Sequence, residues 1–129
     1  MNAPLAPEVA EQARLLDRLL PALRAVLPPH ALLWHAEETR PYECDGLTAY
    51  RERPLAVALP ETEDQVQGVL RACHALRVPV VARGAGTGLS GGAMPNRLGV
   101  TLSLAKFNRI LAVDPVSRTA RVQCGVRNL

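Results

Sequence analysis

Aromatic side chains are scarce, with only Trp34, Tyr42, Tyr50 and Phe107 in 129 residues, and Lys106 is the single lysine. The remaining basic residues are arginines scattered from Arg14 to Arg127, and the formal net charge is a mild +3. With no basic block and few rings on which bases could stack, the sequence excludes nucleic acid as an expected partner. The three cysteines, Cys44, Cys73 and Cys124, lie far apart and form no C-x-x-C pair. That excludes a disulfide framework, and the N-terminus lacks the apolar core of a secretory leader, so a reducing, cytoplasmic setting is expected. His30, His35 and His74 have no ligand spacing and read as surface or capping residues, so no metal is expected. No apolar run approaches the roughly 20 residues that cross a bilayer, which excludes a direct membrane span.

What is present is an ordered succession of elements. Met1–Pro7 is small and proline-rich and reads as a frayed tail. From Glu8 to Leu27, Leu15, Leu16, Leu19, Leu20, Leu23, Val26 and Leu27 recur at helical spacing, interrupted by Pro21. Two short helices or one kinked helix are expected, ended by Pro28 and Pro29. The leucine stripe serves either the core or a partner helix. Leu32–Pro54 is polar and aperiodic, and reads as a mostly irregular strap, either packed over a core by its aromatics or functional in itself. "LAVALP" (Leu55–Pro60) reads as a buried strand. Thr62 with Gln65 three residues later is a capping signal for a helix over Thr62–Leu76, with Glu61, Glu63 and Asp64 at its positive end. Its apolar face is Val66, Val69, Leu70, Cys73 and Leu76, so Cys73 is expected to be packed. "VPVVA" (Val78–Ala82) completes a βαβ unit, which implies two parallel strands. Strands are also expected over Gly99–Leu104, Arg109–Asp114 and Thr119–Gly125, the last two joined as a hairpin at Asp114-Pro115. Cys124 is expected to be a small packed residue, and Cys44 is left open. The fold class is α+β.

Between the second and third of these strands, "ARGAGTGLSGGAMP" (Ala82–Pro95) carries five of the nine glycines. Glycine costs entropy on folding, and one or two suffice for a turn. So dense a cluster suits backbone amides converging on an anion, above all a phosphate. The Walker pattern requires a lysine, and none is near. Gly86, Gly88 and Gly91 match G-x-G-x-x-G, but that motif needs a helix to begin within it. Gly92, Pro95 and Gly99 forbid one here, and a strand follows. The stretch therefore reads as strand, glycine loop, strand, with Thr87 and Ser90 as added hydroxyl donors and Arg83 as either a countercharge or a surface residue.

"VPVVARGAGTGLSGGAMP", preceded by "RPLAVALPETEDQV", resembles the pyrophosphate loop of the FAD-linked oxidases of the vanillyl-alcohol oxidase (PCMH-type) family. "PYECDGLTAYRERPLAVALP" and the terminal "GVRNL" resemble, within that family, the FAD-binding D subunits of bacterial glycolate oxidases. The likeness covers Leu33–Leu129 well and the N-terminal helices loosely, and Cys124 stands where the family pattern has proline. The resemblance implies FAD as cofactor, with Gly84, Ala85, Gly86, Thr87 and Gly88 around its diphosphate. It implies that Ser90, Gly91 and Gly92 continue along the cofactor, that Arg83 sits at the loop's entry, and that Pro60 lies on the adenosine side. It implies N-terminal helices and a strap over residues 1–50, and the first, truncated part of a PCMH-type FAD-binding domain over 51–129. Catalytic residues would lie beyond residue 129.

The activity implied is oxidation of a small 2-hydroxy acid, glycolate to glyoxylate, with hydride passing from the α-carbon to the flavin. The implied partners are an iron–sulfur subunit and a second flavin-type subunit, with any inner-membrane association made through them. D-Lactate or D-2-hydroxyglutarate dehydrogenase, a truncated FAD-binding fragment without activity, and a non-catalytic nucleotide-binding module remain open as alternatives.

Overall fold

A computed structural model describes residues 6–127; most of the expected N-terminal tail lies outside them. The first helix, α1, runs over Pro7–Arg24. Pro7 sits in its first turn, where a missing N–H is harmless. Glu8 and Arg24 complement the dipole at its two ends. The helix is single, with Pro21 inside it, so of the two alternatives expected the one-helix form holds, and it ends at Arg24, before Pro28 and Pro29. The proline falls in the last turn, so only Asp17, exposed to water, loses its carbonyl's usual amide partner.

A short 3-10 turn (Pro29–Ala31) leads to strand β1 (Leu32–Leu33), a one-turn helix α2 (Ala36–Thr39) and a second 3-10 turn (Arg40–Tyr42). The expected strap therefore carries brief regular elements, and from Glu43 to Pro54 it is irregular. Strand β2 (Ala56–Ala58) is buried along its length. Helix α3 covers Glu63–Leu76, with Thr62 as its N-cap. The Gln65 amide donates to Thr62 Oγ1 at 3.3 Å, the N-cap bond that the capping signal anticipates, while Gln65 Oε1 accepts from the Glu61 amide at 2.8 Å, one residue before the N-cap. Strands β3 (Val80–Arg83) and β4 (Val100–Ser103) flank the glycine loop; β5 (Ile110–Asp114) and β6 (Thr119–Val122) form an antiparallel hairpin.

Four strands make one sheet in the order β1-β2-β4-β3. The βαβ unit is parallel as expected, but its strands do not touch. Strand β4 lies between them, parallel to both, with Val100 level with Ala56 and Val80. The chain thus leaves β3 at Arg83 and returns to the start of an adjacent parallel strand with no helix, so the glycine loop must span the length of the sheet. This strand–loop–strand arrangement is what the breakers Gly92, Pro95 and Gly99 require.

Leu19, Leu23 and Leu27 share a core with Leu32, Ala56, Ala58, Val69, Cys73, Val100 and Leu102. The leucine stripe is therefore core. Each fully buried leucine or valine contributes about 1.5–3 kcal/mol. The β5–β6 hairpin stands apart, exposed on every residue, with Ile110 and Val113 about two-thirds accessible. Among the described residues no helix is long and apolar enough to cross a membrane, and no cluster of His, Cys, Asp or Glu could hold a metal.

Candidate cofactor site

The glycine loop forms one wall of an open cleft of about 600 Å³. Gly84, Ala85 and Thr87 line one side. Leu104 and Ala105, after β4, and Cys124, Gly125, Val126 and Arg127, after β6, line the other. The far wall is pinned by backbone: the Gly125 amide donates to the Phe107 carbonyl at 2.7 Å. A cleft of this size suits a small-molecule or cofactor site.

The loop's glycines divide into two kinds. Gly86 and Gly91 adopt left-handed φ of 73° and 75°, a conformation glycine alone enters without strain. At Gly86 a Cβ would also lie 2.2 Å from Arg83 Nη2. At Gly84, Gly88 and Gly92, by contrast, an added Cβ meets nothing within 4 Å, and none of the three has left-handed φ. Nothing in the described protein demands glycine there. Nor does any amide from Gly84 to Gly92 donate to a protein acceptor among the described residues; the next to do so is Met94, to the Gly91 carbonyl. The result is a run of backbone donors without protein acceptors, of which Gly84, Ala85 and Thr87 are exposed and line the cleft.

Thr87 and Ser90 are exposed, so their hydroxyls are free to add donors. Gly86, Gly88, Ser90, Gly91 and Gly92 do not line the cleft itself, and Pro60 is fully buried and lines no part of it. Arg83 is turned the other way. Its Nη1 donates to the Cys44 carbonyl at 2.7 Å, and its guanidinium stands 5.6 Å from the Tyr42 ring centroid. Arg127 is the one charged side chain among the cleft-lining residues.

Cys124 corrects the expectation of a packed residue: it is exposed and lines the cleft. The reason is that β6 belongs to a hairpin outside the main core. Cys73 is buried as expected, and burial pushes its thiol up from 9.0 to about 11. Cys44 is half-buried. His30 pairs with Glu61 at 2.9 Å on the surface, the His35 amide donates to Glu38 at α2's start, and His74 is exposed, all in keeping with surface and capping roles. Sequence reasoning gave no site role to Leu104, Ala105, Val126 or Arg127, although the last two fall within "GVRNL"; they meet the loop only through the fold.

Comparison with known proteins shows the family and the fold. The glycolate oxidase subunit GlcD of Escherichia coli strain K12 is 60% identical over 86% of this chain, and the match covers 22% of that protein. D-2-hydroxyglutarate dehydrogenase of Xanthomonas citri pv. viticola is 40% identical over 86% of this chain and 22% of its own length. The chain thus spans about a fifth of the length of these relatives. Among solved structures, p-cresol methylhydroxylase superposes with a TM-score of 0.72 at 29% identity, over 91% of this chain and 23% of that one, so the α+β fold is that of PCMH-type FAD-binding proteins. The family described as FAD binding domain matches residues 54–129, more than half of the chain, and to that family the chain belongs.

Proposed function

We propose that this chain is the N-terminal part of an FAD-dependent oxidoreductase acting on a small 2-hydroxy acid, with glycolate to glyoxylate as its reaction. One observation carries the cofactor site. Gly84 and Gly88 are bare where the protein itself needs no glycine, beside amides that have no protein acceptor. Those features fit a diphosphate approaching the backbone closely and accepting from successive N–H groups. In this reading Gly84, Ala85, Gly86, Thr87 and Gly88 wrap the diphosphate, Ser90, Gly91 and Gly92 continue the loop along the cofactor, and Arg127 balances charge in the cleft. Pro60, being buried, holds the end of β2 rather than touching the ligand. FAD, when bound, supplies the two-electron acceptor for the hydroxy acid. The residues of this chain bind and orient it, and the groups that move the substrate's protons lie outside residues 1–129.

Residues 1–50 serve as the helical lead-in and strap, and 51–129 as the first part of the FAD-binding domain. The glycolate oxidase relative is itself a subunit, which supports a multi-subunit assembly. In our reading its partners are an iron–sulfur subunit and a second flavin-type subunit, and the site is cytoplasmic, with any inner-membrane contact made through those partners. The likeness to D-2-hydroxyglutarate dehydrogenase favours a second reading in which that acid, or D-lactate, is the substrate.

The test is an anaerobic visible spectrum of the protein at its full encoded length, before and after adding each acid. Bleaching of a flavin band by glycolate supports the first reading. Bleaching only by D-2-hydroxyglutarate or D-lactate supports the second, and a folded protein that takes up no FAD overturns both.

A further inference from the structure

The contacts of Arg83 are those of a brace. Its guanidinium donates to the Cys44 carbonyl at 2.7 Å and faces the Tyr42 ring, joining β3 to a strap segment 39 positions earlier in the chain. It also lies against the Gly86 turn so closely that a methyl there would meet Nη2 at 2.2 Å and Cζ at 2.3 Å. Two residues past Cys44 the strap presses on the loop a second time. A methyl at Gly46 would stand 2.6 Å from the Thr87 carbonyl oxygen and 2.8 Å from that of Gly88. Asp45, between these contacts, is buried, and its Oδ1 accepts from the Leu47 amide at 2.9 Å, which shapes the strap at Gly46. The guanidinium thus stands against the loop at Gly86, and strap backbone stands against it at Thr87 and Gly88. A trans peptide is planar, so fixing a carbonyl fixes the N–H of the following residue. The Thr87 and Gly88 contacts thereby set the amides of Gly88 and Leu89.

We propose that Arg83, with Tyr42, Cys44 and Gly46 of the strap, is a positioning unit that pre-sets the glycine loop's amides for a diphosphate, and that Arg83 is not itself a phosphate ligand. This rests on the flavin reading above. A preorganised loop binds more tightly because less order is lost on binding. A planar fork that both faces a ring and donates to a carbonyl is a task lysine does not reproduce.

The experiment is a double-mutant cycle on FAD affinity in the full-length protein, using Arg83→Gln, Tyr42→Leu and their combination, with Arg83→Lys and Gly46→Ala as further variants. Each single variant is expected to weaken FAD binding about tenfold, the pair no more than either alone, and Arg83→Lys is expected not to restore it. The salt dependence of FAD binding is expected to stay that of the wild type in Arg83→Gln. Amide hydrogen exchange across residues 84–92 of the ligand-free protein is expected to accelerate alike in Arg83→Gln, Tyr42→Leu and Gly46→Ala. Full affinity in Tyr42→Leu together with a reduced salt dependence in Arg83→Gln would overturn the proposal and make Arg83 a direct countercharge. So would losses that multiply in the double variant, or unchanged exchange. A wild-type protein that takes up no FAD overturns the flavin reading instead, and the exchange rates still decide whether the brace exists.

Discussion

Gly88→Ala separates what the ligand needs from what the protein needs. A methyl at Gly88 meets no atom within 4 Å, and the residue does not occupy left-handed φ. The ligand-free protein should therefore tolerate it, or gain about 0.4–1 kcal/mol because the unfolded chain loses freedom. If the diphosphate lies against this backbone, the same methyl occupies ligand space. Overpacking a close contact costs about 1–3 kcal/mol, which at about 1.4 kcal/mol per decade weakens binding roughly 5- to 150-fold. Gly84→Ala has the same geometry and the same expected outcome. The assay pairs urea unfolding of the full-length apoprotein with FAD titration by quenching of flavin fluorescence. Unchanged stability with a fall in affinity of that size is the expected result. Wild-type affinity in both variants would refute the reasoning, because it would show that nothing approaches those positions.

Four further outcomes are expected. Gly86→Ala should destabilise the apoprotein itself, by about 1–2 kcal/mol for the left-handed backbone plus the displacement of Arg83. In an Arg83→Ala background the second contribution disappears, so unfolding of the two single variants and the double variant should be sub-additive. Arg127→Gln should weaken FAD binding by roughly 1.4- to fivefold, the scale of an exposed ion pair worth about 0.2–1 kcal/mol, and should flatten its salt dependence, the reverse of the Arg83→Gln signature. At neutral pH, alkylation followed by peptide mapping should label exposed Cys124 and spare buried Cys73 until unfolding, with FAD protecting Cys124. Because folding holds the Cys73 thiol up to about 11 from 9.0, the stability linked to it is complete below pH 9 and is lost as pH rises toward 11.

Local chemistry was the legible part. The Thr62–Gln65 cap, the apolar face of α3, the β-branched run before Arg83 and the breakers after Gly92 each act over a few residues, and each led to the element observed. The strand order was not legible. That β4 inserts between β2 and β3 is decided by how the sheet packs against α1 and α3, not by any strand's own composition. Pro21 left one helix or two open, because a proline's effect depends on its distance from the helix end, and that end, at Arg24, carries no breaker of its own. Within the site, the glycine loop announced itself by composition, whereas the opposite wall at Leu104–Ala105 and Cys124–Arg127 is assembled only by the turn at Phe107. Arg83 read equally as countercharge or surface residue. Its contacts with Tyr42 and Cys44 span a separation that no local pattern reports, and the one available hint was Gly46, a bare residue in an otherwise polar strap.

The central claim is that the unpartnered amides of Gly84–Gly88 hold the diphosphate of FAD, with Ser90, Gly91 and Gly92 continuing along the cofactor. Amide hydrogen exchange of the full-length protein, with and without FAD, tests it most directly. Marked slowing across residues 84–92 when FAD is added is the predicted result. Stoichiometric FAD binding that leaves exchange in this segment unchanged, with protection falling elsewhere, would contradict it.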